Sequence, residues 1–466
     1  MSSGPVVRTA SPVQVIWVTL ASAALPLTSI ATGPILARVL GPSGRGELAA
    51  LLTPIVVASY VASLGLPDAA TFLVARRRHP ARRVLAAGLL VLLPAATIAI
   101  AVLWAIAPRL LDSYPEGVNV LRIGALALIP MLVLEVARGA LFGEGRFSAV
   151  NLEQVAYSIG RLCLIAAIAA AGALTVVGAF VIHVGVGLAA GAIVIVAVTA
   201  GRPGKERPEP ETRLAEEMAH FGLRGWGGTV ARTLNVRLDQ AVLVALVGPA
   251  QLGYYAVAVA LAELPTLLFG AIRTVLLPEA AARNDPLVVA RAARVAVLLS
   301  SGMAAVGVAT APVVVRLAFG AEFAPATPLV QVLFLASVPL ATTFVIGVGL
   351  TALGRPGRYS LAHAISVPVT LGGLALLIPL LGTMGAALVS LLAYITALVV
   401  STLFLVRTTC YSVASVLVPQ REDVGWLIAH LPVALGEVRT QLSWRKRSSD
   451  TGRVTEETEP RPEPPR

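Results

Sequence analysis

VLGPSGRGELAAL, residues 39–51, and LVGPAQLGYYAVA, residues 246–258, are two polar interruptions of nearly one design in a chain that is otherwise mostly apolar. In each, Gly-Pro is followed by three residues and another glycine. Gly41, Pro42 and Gly46 recur as Gly248, Pro249 and Gly253, an offset of 207 (248 − 41). Such a sequence has little polar material to spare, so the repetition needs a structural reason.

The chain around these stretches has 466 residues, 57% of them hydrophobic and 13% charged, with a mean hydropathy of +0.83. That balance excludes a soluble domain of this size. Apolar runs between short charged patches recur from about residue 12 to about residue 407, each suited to the roughly 20 residues that cross a hydrocarbon core as a helix. They are too long for barrel strands, so the predicted class is all-α, a polytopic helical bundle. The run after Arg8 continues to about Leu40, which exceeds a signal-peptide core and predicts a retained first helix.

Twelve spans are predicted, over 12–37, 46–66, 84–107, 121–143, 152–171, 175–199, 220–246, 252–277, 289–318, 328–353, 359–381 and 383–407. Connections after even-numbered spans carry fifteen Arg or Lys residues, those after odd-numbered spans five. The positive-inside rule then puts both termini and the 200–219 stretch in the cytoplasm. This accounts for the formal net charge of +11 without a nucleic-acid partner; membrane lipids are the expected surroundings.

Both Gly-Pro trios fall between the first and second span of a six-span block. GRFS (145–148) and GRYS (357–360) form a second echo, and Gly178-Ala179 against Gly385-Ala386 a third, all at similar offsets. The chain therefore divides into an N-terminal six-helix lobe (1–199), a linker (200–219) rich in Pro, Glu and Arg, a C-terminal lobe (220–407) and a tail (408–466). An even span count per copy makes the repeats parallel, with a central cleft between two lobes that rock for alternating access. In the tail, 422–445 predicts an interfacial amphipathic helix and the remainder a solvated end.

No ATP-binding loop, HExxH zinc motif or GxSxG elbow is present, so neither enzyme activity, a metal nor another cofactor is expected. Cys163 and Cys410 form no framework. Charge inside apolar spans is more informative, because each such residue costs about 2.5–3.5 kcal/mol near a bilayer centre. The seventh span carries Arg224, Arg232, Asn235, Arg237 and Asp239. Positions 232, 235 and 239 share a helical face, and a string of guanidinium groups suits an anionic headgroup. Pairing of Arg232 or Arg237 with Asp239 is the structural alternative. Arg38 and Arg45, near the first hairpin, are either snorkelling loop residues or further ligands. Glu135, Arg138, Arg161 and Glu263 form a candidate coupling or structural charge network, with Glu135–Arg138 pairing as its plainest reading. His183 and His363 read as packing residues.

LARVLGPSGRGELAALLTPIVVASYVASLGLPDAATF (36–72), NVRLDQAVLVALVGPAQLGYYAVAVALAELP (235–265), LLPEAAAR (276–283), GAEFAPATPLVQVL (320–333) and ALGRPGRYS (352–360) together resemble polysaccharide flippases of the multidrug/oligosaccharidyl-lipid/polysaccharide exporter (MOP) superfamily. The resemblance implies a non-enzymatic transporter in a bacterial cytoplasmic membrane that moves an undecaprenyl-pyrophosphate-linked oligosaccharide to the outer leaflet, with polysaccharide polymerase machinery as a partner. It carries the pyrophosphate-contacting role onto Arg237, beside Asp239, and onto Arg232. Twelve spans differ from the fourteen usual in lipid II flippases, which stay open as an alternative. A cation-coupled drug exporter of the same superfamily is the alternative transporter, and a non-transporting membrane scaffold the alternative class.

Overall fold

A computed structural model describes residues 12–76, 79–200, 210–265, 286–409, 411–423 and 425. All regular structure among them is helical. The chain runs through α1 (Pro12–Ala62), α2 (Leu66–Ala75), α3 (Ala81–Leu110), α4 (Gly117–Ala125), α5 (Leu128–Gly143), α6 (Phe147–Ala170) and α7 (Val176–Thr199). It continues through α8 (Glu211–Leu246), α9 (Pro249–Ala262), α10 (Pro286–Val314), α11 (Thr327–Ala352), α12 (Pro356–Leu381), α13 (Thr383–Thr409) and the short α14 (Val413–Leu417). Residues 424 and 426–445 of the predicted amphipathic helix, 201–209 of the linker and LLPEAAAR lie outside the described residues.

Eight described helical stretches are long and apolar enough to cross a membrane, and the bent pair α4–α5 makes a ninth. The gap to twelve has local causes. α1 passes as one stretch although Gly41 breaks it at φ 68°, a left-handed conformation that only glycine adopts without strain; it supplies the first two predicted spans. α8 carries too many charges to pass, and α9 is short before the chain leaves the described region.

The bundle has a hairpin end, where α1 kinks and α8 passes into α9, and a linker end, near residues 76, 79–80, 144–146, 200, 210 and 353–355. At the hairpin end both lobes share one core: Leu36, Leu48 and Leu51 pack in the same cluster as Leu252, Tyr255, Phe319 and Phe323. At the linker end the cores separate. One joins Leu66, Leu73, Val84 and Leu141 of the N-terminal lobe; the other joins Val289, Val345, Ile346 and Leu405 of the C-terminal lobe.

The duplicated glycines form the seam between lobes. A Cβ on Gly46 would lie 1.7 Å from the Pro249 carbonyl oxygen, and one on Gly253 would lie 2.0 Å from that of Pro42. Each repeat thus presses its second glycine onto the other repeat's proline, and the backbones come closer than any side chain permits. Arg38 of α1 ties the same end, donating through Nε to the Ala318 carbonyl at 2.9 Å and also to the Leu317 carbonyl. These carbonyls belong to the π-helical turn Val315–Phe319 that ends α10, where a cation meets the negative helix terminus.

The second echo shifts register. Gly145 (φ 73°) and Gly354 (φ 72°) each end a helix in the left-handed region. Arg146 N donates to Leu141 O at 2.9 Å, as Arg355 N does to Leu350 O at 2.8 Å, the same helix-terminating motif. Gly145 therefore corresponds to Gly354 (offset 354 − 145 = 209) rather than to Gly357, and the match of GRFS to GRYS is corrected by three residues.

α8 belongs to both lobes. Its start packs on the N-terminal lobe: Leu214, Ala215 and Met218 enter that lobe's linker-end core, Phe221 stacks on Phe72 with centroids 4.2 Å apart, and Gly222 meets Gly65 backbone to backbone. Its later half packs on α12, α13 and α9.

Candidate functional site

The charges of α8 divide by partner. Arg224 and Arg232 are exposed. Arg237 is half-buried and pairs through Nη2 with Glu263 Oε1 of the α9 terminus at 2.9 Å. Asp239, 4% exposed, accepts from Tyr255 Oη at 2.5 Å, Ser390 Oγ at 2.9 Å and the Gln240 backbone N–H at 2.6 Å. The arginine–aspartate alternative weighed for this helix gives way to an arginine–glutamate pair, because hydroxyls from α9 and α13 already surround the aspartate. Asn235, 2% exposed, faces α12 instead of a cavity: its Oδ1 accepts from Thr370 Oγ1 at 2.8 Å and its Nδ2 lies 3.3 Å from His363 Nδ1. His363 also packs edge-on against Tyr359.

The N-terminal lobe holds a second group. Arg138 of α5 forks onto Glu153 of α6, with Nε to Oε2 at 3.1 Å and Nη2 to Oε1 at 2.8 Å, and also meets Glu135 at 2.5 Å. The sequence reading paired Glu135 with Arg138 and missed Glu153, the deeply buried member at 2% exposure. Its signal was available: a carboxylate inside an apolar span requires a partner. Arg138, Glu135 and Glu153, with Tyr157 and His183, line a cavity of about 270 Å³ among α1, α5, α6 and α7. Arg161 is buried nearby and Arg45 is half-buried. Arg38 lies at the seam described above, apart from this cavity.

Near the start of α10, Arg294 clamps Asp423 of the tail, with Nε to Oδ2 at 2.6 Å and Nη2 to Oδ1 at 2.9 Å. These bonds hold the Asp423 carboxyl below the usual carboxylate range. No cluster of three or more His, Cys, Asp or Glu side chains suited to a metal occurs among the described residues.

A duplicated helical bundle with a shared core at one end, separate cores at the other and buried charge in both lobes defines a two-lobe membrane transporter fold. Solved structures with this fold include a multidrug resistance MATE family transporter of the MOP superfamily in an inward-facing conformation, 14% identical, with TM-score 0.66 over 84% of this chain and 98% of that one. The lipid II flippase MurJ in an inward closed conformation is 12% identical, with TM-score 0.70 over 85% and 88%. A MOP superfamily transporter from Pyrococcus furiosus is 13% identical, with TM-score 0.55 over 86% and 95%. No curated protein matches the sequence. The profile of the polysaccharide biosynthesis protein family matches residues 35–328, and the chain belongs to that family. It is a multi-pass membrane protein of that family with the fold seen in MOP superfamily transporters.

Proposed function

We propose that the protein is a flippase that carries an undecaprenyl-pyrophosphate-linked oligosaccharide from the inner to the outer leaflet of a bacterial cytoplasmic membrane. The observation that carries this reading is the asymmetry of interior charge. Glu135, Glu153, Asp239 and Glu263 are each held by protein donors, whereas Arg224 and Arg232 stand exposed on a helix that packs against both lobes. An anion meets accessible guanidinium groups there, while a cationic drug meets net repulsion and carboxylates already engaged. The exporter reading is weaker on this ground.

In the proposed cycle the positive-inside pattern sets the linker end toward the cytoplasm and the hairpin end outside. With the seam of Gly46 and Gly253 shut, the cleft between the linker-end cores admits a headgroup from the inner leaflet. Arg232, Arg224 and Arg237 are assigned to its diphosphate, Asn235 and Asp239 to holding α8 in place, and Arg38 to the closed outer seam. Arg237 can contribute only by loosening from Glu263. The boundaries 1–199, 200–219, 220–407 and 408–466 are kept as the proposed lobes, linker and tail, with α8 crossing the second of them. A polymerase partner on the outer side belongs to the same proposal.

Arg232→Ala should abolish polymer export while leaving membrane insertion intact, read by surface polysaccharide staining alongside immunoblotting of the membrane fraction. Full export by Arg232→Ala and by Arg224→Ala would remove the headgroup role from α8.

A further inference from the structure

Away from α8, the N-terminal lobe holds two neighbouring arginines that join no ion pair among the described residues. Arg45 stands four residues after the Gly41 kink, and Arg161, 7% exposed, lies in the middle of α6. Arg161 donates through Nη2 to Ser29 Oγ at 2.8 Å, and its guanidinium lies over the Tyr157 ring, 5.3 Å from the centroid. The Nε atoms of both arginines are buried with no hydrogen-bond partner among the described residues. Neither joins an ion pair there, and the two are close enough to repel each other. His183 of α7, its Nδ1 held by the Ala179 carbonyl at 2.8 Å, lies in the field of both.

Such an arrangement is costly in a low-dielectric interior, where like charges repel strongly and an unmet donor keeps its desolvation cost. Nearby Arg138 shows what the same lobe does with a structural arginine: it surrounds it with two glutamates. Leaving Arg45 and Arg161 bare is explained if the counter-charge arrives with a ligand. We propose that Arg45 and Arg161, with Ser29 beside them, form a binding station for a phosphate-class oxyanion, reached through the cavity that Tyr157 and His183 line. At about 270 Å³ the cavity suits a headgroup rather than a sugar chain. The station rests on the flippase reading for its ligand, the diphosphate of a lipid-linked substrate. It adds a site in the N-terminal lobe, toward the hairpin end, distinct from the α8 arginines.

The test uses the full chain in detergent, with geranylgeranyl diphosphate, inorganic pyrophosphate and geranylgeraniol as probes, and reads Kd by equilibrium dialysis. The wild type is expected to bind the prenyl diphosphate and not the alcohol. Arg161→Lys, which keeps the charge but loses the fork, and Arg45→Gln should each weaken binding by roughly tenfold to a hundredfold, the worth of a charged hydrogen bond or two. Should Arg161→Lys fail to fold, Arg45→Gln carries the test, since the Arg45 Nε that it deletes has no partner in the described fold. Pyrophosphate binding as tightly as the prenyl diphosphate would support the station but make the free anion its ligand. Wild-type affinity in both variants, with loss in Arg232→Gln, would overturn the station and leave the flippase reading standing. No binding of either diphosphate to the wild type would overturn both.

Discussion

Arg237 in the C-terminal lobe and Arg138 in the N-terminal lobe each answer a carboxylate, but beside Arg138 the N-terminal lobe also sets Arg45 and Arg161, which join no ion pair among the described residues. In the C-terminal lobe, Glu263 takes Arg237 at 2.9 Å, and Asp239 is met by Tyr255 and Ser390. In the N-terminal lobe, Glu135 and Glu153 are both spent on Arg138, so no carboxylate pairs with Arg45 or Arg161 among the described residues, and the Nε of each stays unpartnered there. Two copies of one six-helix plan have therefore diverged in charge while keeping their seam. Under the proposed function, the N-terminal lobe receives anionic charge and the C-terminal lobe brings α8 to it.

That comparison can be broken at several points, and the seam gives the largest effect. Gly46→Val sets a side chain where even a Cβ would lie 1.7 Å from the Pro249 carbonyl oxygen. The hairpin end then cannot shut, and polymer export should be lost although the protein still inserts, as surface polysaccharide and membrane-fraction blots would record. Arg138→Ala comes next. It leaves Glu153 buried without a partner and should destabilise the detergent-solubilised protein by about 3–5 kcal/mol, seen as a lower melting temperature. A milder loss in the double variant Arg138→Met/Glu153→Leu would confirm that the stranded charge, not the lost pair, is the cause.

Asp423→Asn should release the tail from α10 at a cost of about 1–3 kcal/mol, with faster proteolysis after residue 409 as the readout. Because Arg294 depresses the folded carboxyl, this contribution is complete above the unfolded value of about 3.9 and is lost only as pH falls through the lower folded value. The tail should therefore stay docked at neutral and mildly acidic pH. The smallest effect belongs to Arg237→Gln, whose pair is a third or more exposed on both sides; it should alter stability by less than about 1 kcal/mol. A large drop would show that the C-terminal lobe depends on its pair as much as the N-terminal lobe does.

The membrane class, the helical bundle and the duplication were legible because each rests on local sequence: run length, punctuation, and Gly-Pro trios at one offset. Partner choice was not, because it depends on how spans pack. Nothing along the chain says that Arg237 will meet Glu263, 26 residues on (263 − 237), rather than Asp239, two residues away; helix geometry sends positions i and i+2 to different sides. Glu153 was overlooked although a buried carboxylate announces itself. The GRFS–GRYS echo misled because Gly-Arg occurs twice within GRPGR (354–358), and only the left-handed backbone at Gly354 reveals which copy ends the helix. The reach of α8 into both lobes depends on Met218 and Phe221 finding the N-terminal core, a contact that no periodicity encodes.

The roles proposed for both lobes depend on the substrate being a lipid-linked diphosphate. Mass spectrometry of membrane lipids from cells lacking the protein, against cells in which it is restored, measures that directly. The prediction is that undecaprenyl-pyrophosphate-linked oligosaccharides accumulate without it and clear when the wild type, but not Arg232→Ala, is returned. An unchanged lipid profile, above all with new sensitivity to cationic drugs, would contradict the flippase and favour the exporter.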